Sequence, residues 1–299
     1  METNVLNAYK KAASVWKSAI NVAQKKAQEG VLLLDLACEI EAFVKAEGLE
    51  SAFPINLSLN EEAAHFTPKW NDIVELKASD ILKIDIGVSC EGYICDGAIT
   101  INLDGTHAKQ IDANTLALEN AISVAEYGKP IEKMGAEIER TLKEKGFNPI
   151  YNLGGHGLGK NDIHAWPSIP NHAGGSSEGL KEGAIAIEPF ASTGVGHITE
   201  IQNVEIFALT DKRTVRNNYA REIIKATEQY EGKPFAERWI RKTLGTKLTS
   251  FQVTIGLKEL MKYGCFQSFP GLKETKGAMV TQVEKSLLIL EDKTIVLGE

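Results

Sequence analysis

The chain has 299 residues, of which 43% are hydrophobic and 24% charged, and its formal net charge of −7 gives a pI near 5.5. This composition is typical of a globular protein that buries a substantial core, and its acidity argues against a general nucleic-acid binder. The four cysteines form no CxxC pair, the polar start has no apolar signal core, and no apolar run approaches about 18 residues, so we expect a soluble cytoplasmic protein.

Two helix pairs are predicted in the first half of the chain. Small and aliphatic residues recur at steps of three and four over 4–29, which predicts a helix, and a second helix is predicted near 35–47. The segment Ala19–Ala23 resembles Ala121–Ala125, and each is followed by a Glu-Ile-Glu sequence and a glycine. Two interpretations fit this similarity equally well. One is chance similarity of two alanine-rich helix pairs, and the other is an internal duplication that gives two helix–helix–strand halves.

A β-hairpin is predicted between the two helix pairs. Residues 80–88 and 93–103 alternate between apolar and polar side chains, with a turn at 90–92. A two-residue turn places Asp85 and Asp96 on one face, as direct partners or as diagonal neighbours depending on which two residues form it. Two carboxylates at such a short distance repel each other unless a proton or a cation lies between them. Two acids on a solvated face are the simpler interpretation of this pair alone.

The remaining chain is predicted to be sheet with one helical interruption. Residues 150–206 are rich in glycine and proline and favour strands and loops, whereas 216–263 is charged and helical in period. Strand returns at 279–290. We therefore predict an α+β fold with a mainly antiparallel sheet, formed by one domain over 1–299 that contains a helical insertion at 207–265.

Three further residues in the sheet segments are candidates for chemistry. His156 lies in a glycine-rich stretch, which lets backbone approach a bound species, although a lone histidine is more often structural. The stretch nearly matches a phosphate loop, but Asn161 occupies the Ser/Thr position and Pro167 soon follows where a helix is required. Glu188 and Glu284 interrupt apolar strands, where a carboxylate needs a partner or a metal. An exposed position explains each glutamate equally well.

Taken as a set, these residues predict a metal centre. Four carboxylates and one imidazole offer enough donors for two divalent ions about 3.5–4 Å apart, and such a pair of ions activates a bridging water. Oxygen donors with one imidazole suit Mn, Co, Fe or Zn. The predicted ligands are Asp85, Asp96, His156, Glu188 and Glu284.

A series of motifs resembles the type 2 methionine aminopeptidases of metallopeptidase family M24, in their short archaeal-like form. In chain order the motifs are Phe53-Pro54 with His65, Lys83-Ile84-Asp85-Ile86-Gly87 with Asp96, Gly155-His156-Gly157 with Ile163-His164-Ala165, Ile187-Glu188-Pro189-Phe190 with Ser192-Thr193-Gly194, and Gln282-Val283-Glu284. The resemblance covers essentially the whole chain. It implies the pita-bread α+β fold, whose two halves are related by a pseudo-twofold axis.

The resemblance also implies a mechanism. The five ligands would bind two metal ions, and a bridging water would attack the carbonyl that follows the N-terminal methionine. Glu188 would carry the proton of this water to the leaving amine, His164 would stabilise the oxyanion, and His65 would contact the scissile amide. The implied methionine pocket contains Phe53, Ile163 and Phe269. The implied substrates are nascent polypeptides acted on by a monomer, with the ribosome as a candidate partner and no membrane or specific nucleic acid.

Three departures from the family pattern leave every ligand in place. Lys285 stands where many members have His, Gly97 where many have Thr, and Phe269 where Tyr is expected. An Xaa-Pro aminopeptidase or prolidase shares the fold and the metal set, but the length of the insertion and the motif at 60–68 argue against it. A non-catalytic binding relative is a further alternative, against which the complete ligand set argues.

Overall fold

Seven α-helices and sixteen β-strands form in the computed structural model, which describes residues 1–299. The helices are α1 (Thr3–Lys26), α2 (Leu33–Ala46), α3 (Ala108–Ser123), α4 (Glu132–Glu144), α5 (Asn218–Thr227), α6 (Glu237–Leu244) and α7 (Ser250–Lys262). The strands are β1 (Glu50–Ser51), β2 (Asn56–Leu59), β3 (Glu62–Ala64), β4 (Ile81–Cys90), β5 (Tyr93–Asn102), β6 (Asn148–Pro149), β7 (Gly154–Gly159), β8 (Asp162–Pro170), β9 (Gly183–Ile187), β10 (Phe190–Ser192), β11 (Thr199–Leu209), β12 (Phe235–Ala236), β13 (Phe266–Lys273), β14 (Val280–Gln282), β15 (Lys285–Ile289) and β16 (Thr294–Val296). None of the helices combines the length and apolar character required to cross a bilayer.

Each predicted helix pair forms and covers its own apolar cluster. The first pair, α1 and α2, packs with β4 and β5 around residues such as Leu36 and Ile86. The second pair, α3 and α4, packs around Met134 and Ile187. Helices packed against strands that pair only in antiparallel fashion confirm the α+β prediction.

Helix α1 lies close to the back of β5. Its alanines are buried, and Trp16 donates a hydrogen bond from Nε1 to the carbonyl oxygen of Gly97 at 3.2 Å. A β-carbon at position 97 would overlap the Trp16 ring. The absence of a side chain at Gly97 is therefore a packing requirement of α1, on the face of β5 that points away from the cavity described below.

Strands β4 and β5 form the predicted hairpin with a two-residue turn. Cys90 pairs with Tyr93, so the turn consists of Glu91 and Gly92, whose φ angles of 55° and 87° are both positive. Positive φ at both central positions gives a type I′ turn, whose twist matches that of the flanking strands. Asp85 pairs with Ala98 and Asp96 pairs with Gly87. The two aspartates are thus diagonal neighbours on one face.

A second sheet, in the order β16-β15-β9-β7-β8, is antiparallel throughout. It is joined to the hairpin by backbone hydrogen bonds between Ala98 and Glu284, with N–O distances of 3.0 and 3.4 Å. The Ser286 hydroxyl adds two more bonds, to the backbone nitrogen and the carbonyl oxygen of Asp96, each at 2.8 Å. The hairpin aspartates and the second sheet are therefore held together.

Helices α5, α6 and α7 pack together near the β11–β13 ladder. The Asn217 side chain caps α5, and Thr249 with Gln252 forms a capping box at the start of α7. The three helices share a cluster that includes Ile223, Ile240 and Leu257. The two helices predicted at 217–230 and 234–244 are present as α5 with a 3-10 turn and as α6. The insertion limits of 207–265 remain our proposal.

Candidate metal centre

The five predicted ligands come from the two sheets. Asp85 and Asp96 lie on the hairpin, and His156 lies on β7 opposite Ala186 of β9. Lys285 of β15 pairs with Ile187 of β9, so Glu284 and Glu188 lie next to each other just beyond this ladder. Antiparallel pairing thus brings together two glutamates that are separated by almost a third of the chain.

The ligand atoms form two groups of three that share one residue. Atoms of Asp96, His156 and Glu284 lie within 4.8 Å of one another, and so do atoms of Asp85, Glu188 and Glu284. A carboxylate has two oxygens, so Glu284 can contribute one to each group. This arrangement suits two cations with a shared carboxylate.

Charge and hydrogen bonding both fit bound cations. Burial, followed by repulsion from neighbouring carboxylates, raises the pKa values of Asp96, Glu188 and Glu284 well above their ordinary range, and burial raises that of Asp85 to about 6. Asp85 Oδ1, Asp96 Oδ1 and Glu284 Oε1 are buried without a hydrogen-bond partner. Buried polar atoms almost always have a partner, and carboxylate oxygens with one imidazole suit divalent transition metals.

His156 is arranged as a neutral ligand. Burial lowers its pKa to about 3, so the ring carries one proton at neutral pH. Nδ1 lies 3.2 Å from the carbonyl oxygen of Gly157, which accepts that proton's hydrogen bond, and Nε2 lies 3.8 Å from Asp96 Oδ2. A hydrogen bond at one ring nitrogen directs the lone pair of the other toward the ligand position, as is usual for metal-binding histidines.

Gln282 is a site residue that the sequence interpretation missed. Its buried Nε2 donates to Asp85 Oδ2 at 3.2 Å and to Glu188 Oε1 at 2.7 Å. One amide thus holds carboxylates from both sheets. Asn56, which pairs with Asp85 in β2–β4, was also missed, although it lies in the wall of the cavity. The signal for Gln282 was its position two residues before Glu284.

A cavity of about 160 Å³ contains the other predicted residues. Its wall includes Phe53, His65, Ile163, His164 and Phe269 together with every predicted ligand except Glu284. His65 Nδ1 lies 3.3 Å from the Pro270 carbonyl oxygen, and burial lowers its pKa to about 4. The His164 ring lies against His156 with centroids 4.8 Å apart. Nine of the ten predicted site residues therefore line this cavity, and the tenth, Glu284, lies beside the other predicted ligands.

Lys285 does not reach this cavity. Adjacent residues on extended backbone point to opposite faces, and the Lys285 Nζ lies 4.9 Å from the centre of the Trp16 ring, behind the sheet. The departures at positions 97 and 285 therefore both concern the contact with α1. Only Phe269 departs from the family pattern within the cavity.

Metal-free Glu284→Gln is expected to be more stable than the metal-free original chain, by an amount that grows as pH rises. A carboxylate whose pKa is raised by folding binds a proton more tightly in the folded state, so its stabilising effect is lost as pH rises above the unfolded value. The difference should increase by up to about 1.4 kcal/mol per pH unit once the pH exceeds the ordinary pKa of a glutamate. Urea unfolding in the presence of chelator measures it, and a difference that shrinks with pH would contradict the burial argument.

Comparisons with known proteins agree with this arrangement. The sequence profile described as Metallopeptidase family M24 matches residues 7–216. A methionine aminopeptidase of Pyrococcus abyssi is 40% identical over 96% of this chain and 97% of that protein. Among solved structures, a thermophilic Arx1 gives a TM-score of 0.84 at 17% identity, covering 100% of this chain and 91% of that one. A methionine aminopeptidase of Thermotoga maritima gives 0.72 at 20% identity, covering 100% and 98%.

The two structural similarities show the shared fold, and the sequence identity shows the family. The profile spans more than half of this chain, and the Pyrococcus abyssi relative aligns along nearly its full length. The chain therefore belongs to metallopeptidase family M24 and, within it, to the methionine aminopeptidases.

Proposed function

We propose that the protein removes N-terminal methionine with two divalent metal ions held by Asp85, Asp96, His156, Glu188 and Glu284. Aminopeptidase activity follows from membership of the methionine aminopeptidases. The observation that supports two ions is the position of Glu284 in both groups of ligand atoms. We assign the chain to the type 2 form because of its helical insertion, and we propose Mn, Co, Fe or Zn as the metal.

Three residues of the chain would handle the protons and charges of the reaction. When bound, the metal pair supplies an activated water and polarises the substrate carbonyl. Burial raises the pKa of the Glu188 carboxyl well above its ordinary value, which makes its carboxylate a better proton acceptor, so it can take a proton and pass it to the leaving amine. His164 can donate to a developing oxyanion. His65 is neutral, and its Nε2 is left free for the scissile amide.

The apolar part of the cavity suits a methionine side chain. Phe53, Ile163 and Phe269 lie in its wall, together with Phe190 and Ile206. A thioether makes favourable contacts with aromatic rings and needs no hydrogen bond. Phenylalanine at position 269 brings no hydroxyl group, which keeps this part of the wall apolar. We propose these residues as the methionine pocket.

Nascent polypeptides are the proposed substrates, because their synthesis begins with methionine. We propose that a monomer acts on them in the cytoplasm, with the ribosome as a candidate partner. The identity to methionine aminopeptidases does not favour an Xaa-Pro peptidase. The complete set of ligands argues against a non-catalytic relative.

A release assay on metal-stripped protein tests the proposal. We expect methionine release from Met-Ala-Ser after addition of Mn, Co, Fe or Zn, little release from Ala-Pro-Ala, and none without metal. Calorimetric titration of the same protein should show binding of two ions per chain. Cleavage of the proline peptide alone, cleavage in chelator, or a single binding site would each contradict it.

A further inference from the structure

The sheet ladder is interrupted where the two glutamate ligands lie. Strands β9 and β15 pair with each other, and so do β10 and β14. Residues 188–189 separate β9 from β10, and residues 283–284 separate β14 from β15. Proline has no backbone N–H, and the backbone bond across this gap, from the Val283 nitrogen to the Pro189 carbonyl oxygen, is long at 3.3 Å. Backbone pairing therefore fixes the separation of the two glutamates only weakly.

One side chain of α3 bridges this gap. Asn114 is fully buried, and its Nδ2 donates to the carbonyl oxygens of Pro189 and Thr281 at 3.0 and 3.1 Å. An amide nitrogen carries two N–H groups, so each side of the gap receives one. Pro189 directly follows Glu188. Thr281 directly precedes Gln282, whose amide binds the Glu188 carboxylate. The helix thus supplies a link between the strands at the point where the ladder lacks one.

A second amide lies one helical turn earlier on the same face of α3. Gln110 is also buried, and its Nε2 donates to the carbonyl oxygens of Ala191 and Met279 at 2.9 and 2.8 Å. The amide oxygens of Gln110 and Asn114 are buried without a hydrogen-bond partner. Both side chains therefore act as donors only, and each joins the chain around β10 to the chain around β14.

We propose that Asn114 is a positioning residue of the metal centre and holds Glu188 at the distance from Glu284 that a pair of ions requires. Glu284 is held independently, because its backbone exchanges two hydrogen bonds with Ala98 on the hairpin. The backbone of Glu188 makes no hydrogen bond, so its position depends on the neighbouring Pro189. This inference rests on the proposed function, since two bound ions are what the position of Glu188 serves.

Calorimetric titration of the metal-stripped protein with Mn²⁺ tests this assignment. Asn114→Leu keeps the branching of the side chain and removes both N–H donors. We expect the binding step that uses Glu188 to weaken about tenfold or more, and the step that uses Asp96 and His156 to change by less than about twofold, since loss of a group that orients a ligand costs about 10–100-fold. Unchanged affinity in both steps, or an equal loss in both, would overturn the assignment.

A matched asparagine separates this role from general stability. Asn120 lies on the same helix and is half-buried, and its Nδ2 donates to Thr141 Oγ1 of α4 at 2.9 Å rather than to the strands. Asn120→Leu should lower the Tm and change neither metal affinity nor kcat. Asn114→Leu should lower kcat on Met-Ala-Ser about tenfold or more and leave KM within about twofold. The same metal and kcat effects in Asn120→Leu would show that the role of Asn114 is merely structural.

Asn114→Leu is expected to fold, because the Pro189 carbonyl oxygen keeps its bond from Val283 and the Asn114 amide oxygen has no partner to lose. If it does not fold, Gln110→Met takes its place. This variant should weaken the same binding step about threefold, as for the loss of one hydrogen bond, and an unchanged affinity would then overturn the assignment. Binding of fewer than two ions by the original chain would instead refute the proposed function itself.

Discussion

Replacement of Glu284 by glutamine is expected to reduce methionine release by about a thousandfold or more. Glu284 is the residue that the two groups of ligand atoms have in common, so one amide in its place removes a negative charge and an acceptor from both. Metal-assisted stabilisation of the transition state contributes several kcal/mol, and each about 1.4 kcal/mol corresponds to a factor of ten in rate. The measurement is kcat/KM on Met-Ala-Ser at saturating metal.

The control for this variant is Glu291→Gln, the same substitution at an exposed position of the same C-terminal segment. It should retain full activity and metal content. Calorimetry should show that Glu284→Gln binds metal more weakly, and circular dichroism should show that it is folded. Activity within tenfold of the original chain would mean that Glu284 does not bridge the two groups.

Replacement of Arg238 by methionine is expected to lower the free energy of unfolding by about 3–5 kcal/mol, because it leaves a buried carboxylate without its partner. Arg238 on α6 is buried and pairs with Glu41 of α2. It also donates to Thr67 Oγ1 at 2.7 Å and to the Pro68 carbonyl oxygen at 3.2 Å. Trp239 Nε1 donates to the other oxygen of Glu41 at 2.9 Å. These bonds join the helical segment to the first helix pair.

Chemical unfolding monitored by circular dichroism measures this loss. Arg140→Met is the control, since Arg140 is exposed and pairs with Glu137 and Glu144 within α4. Exposed pairs contribute about 0–1 kcal/mol. A loss below about 1 kcal/mol for Arg238→Met would show that the buried network does not stabilise the attachment of α6.

The hairpin is the part of the site that the local sequence pattern predicted best. Alternating side chains predicted β4, β5 and the shared face of Asp85 and Asp96, because a period of two is a property of neighbouring residues. The turn itself remained open between two possibilities, since Cys90-Glu91 and Glu91-Gly92 both fit the pattern. Positive φ at Glu91 and Gly92 decides between them, and it is a tertiary outcome.

The positions of Glu188 and Glu284 could not be predicted from the local sequence pattern. Nothing in the two segments indicates that β9 pairs with β15, so the position of Glu188 beside Glu284 required the fold. The family resemblance supplied both residues, whereas each strand alone fitted an exposed glutamate equally well. Gln282 was missed for the same reason, because its role depends on Asp85 and Glu188, which come from different sheets.

The contact of Trp16 with β5 has a consequence for how this sequence could diverge. Gly97 leaves room for the indole ring, and Lys285 covers its face from the neighbouring strand. Threonine at position 97 would require a smaller residue at position 16, and the lysine would then lose the ring beneath it. Positions 97 and 285, beside the proposed metal ligands Asp96 and Glu284, therefore both depend on the residue at position 16 of α1. We expect the residues at positions 16, 97 and 285 to change together in evolution.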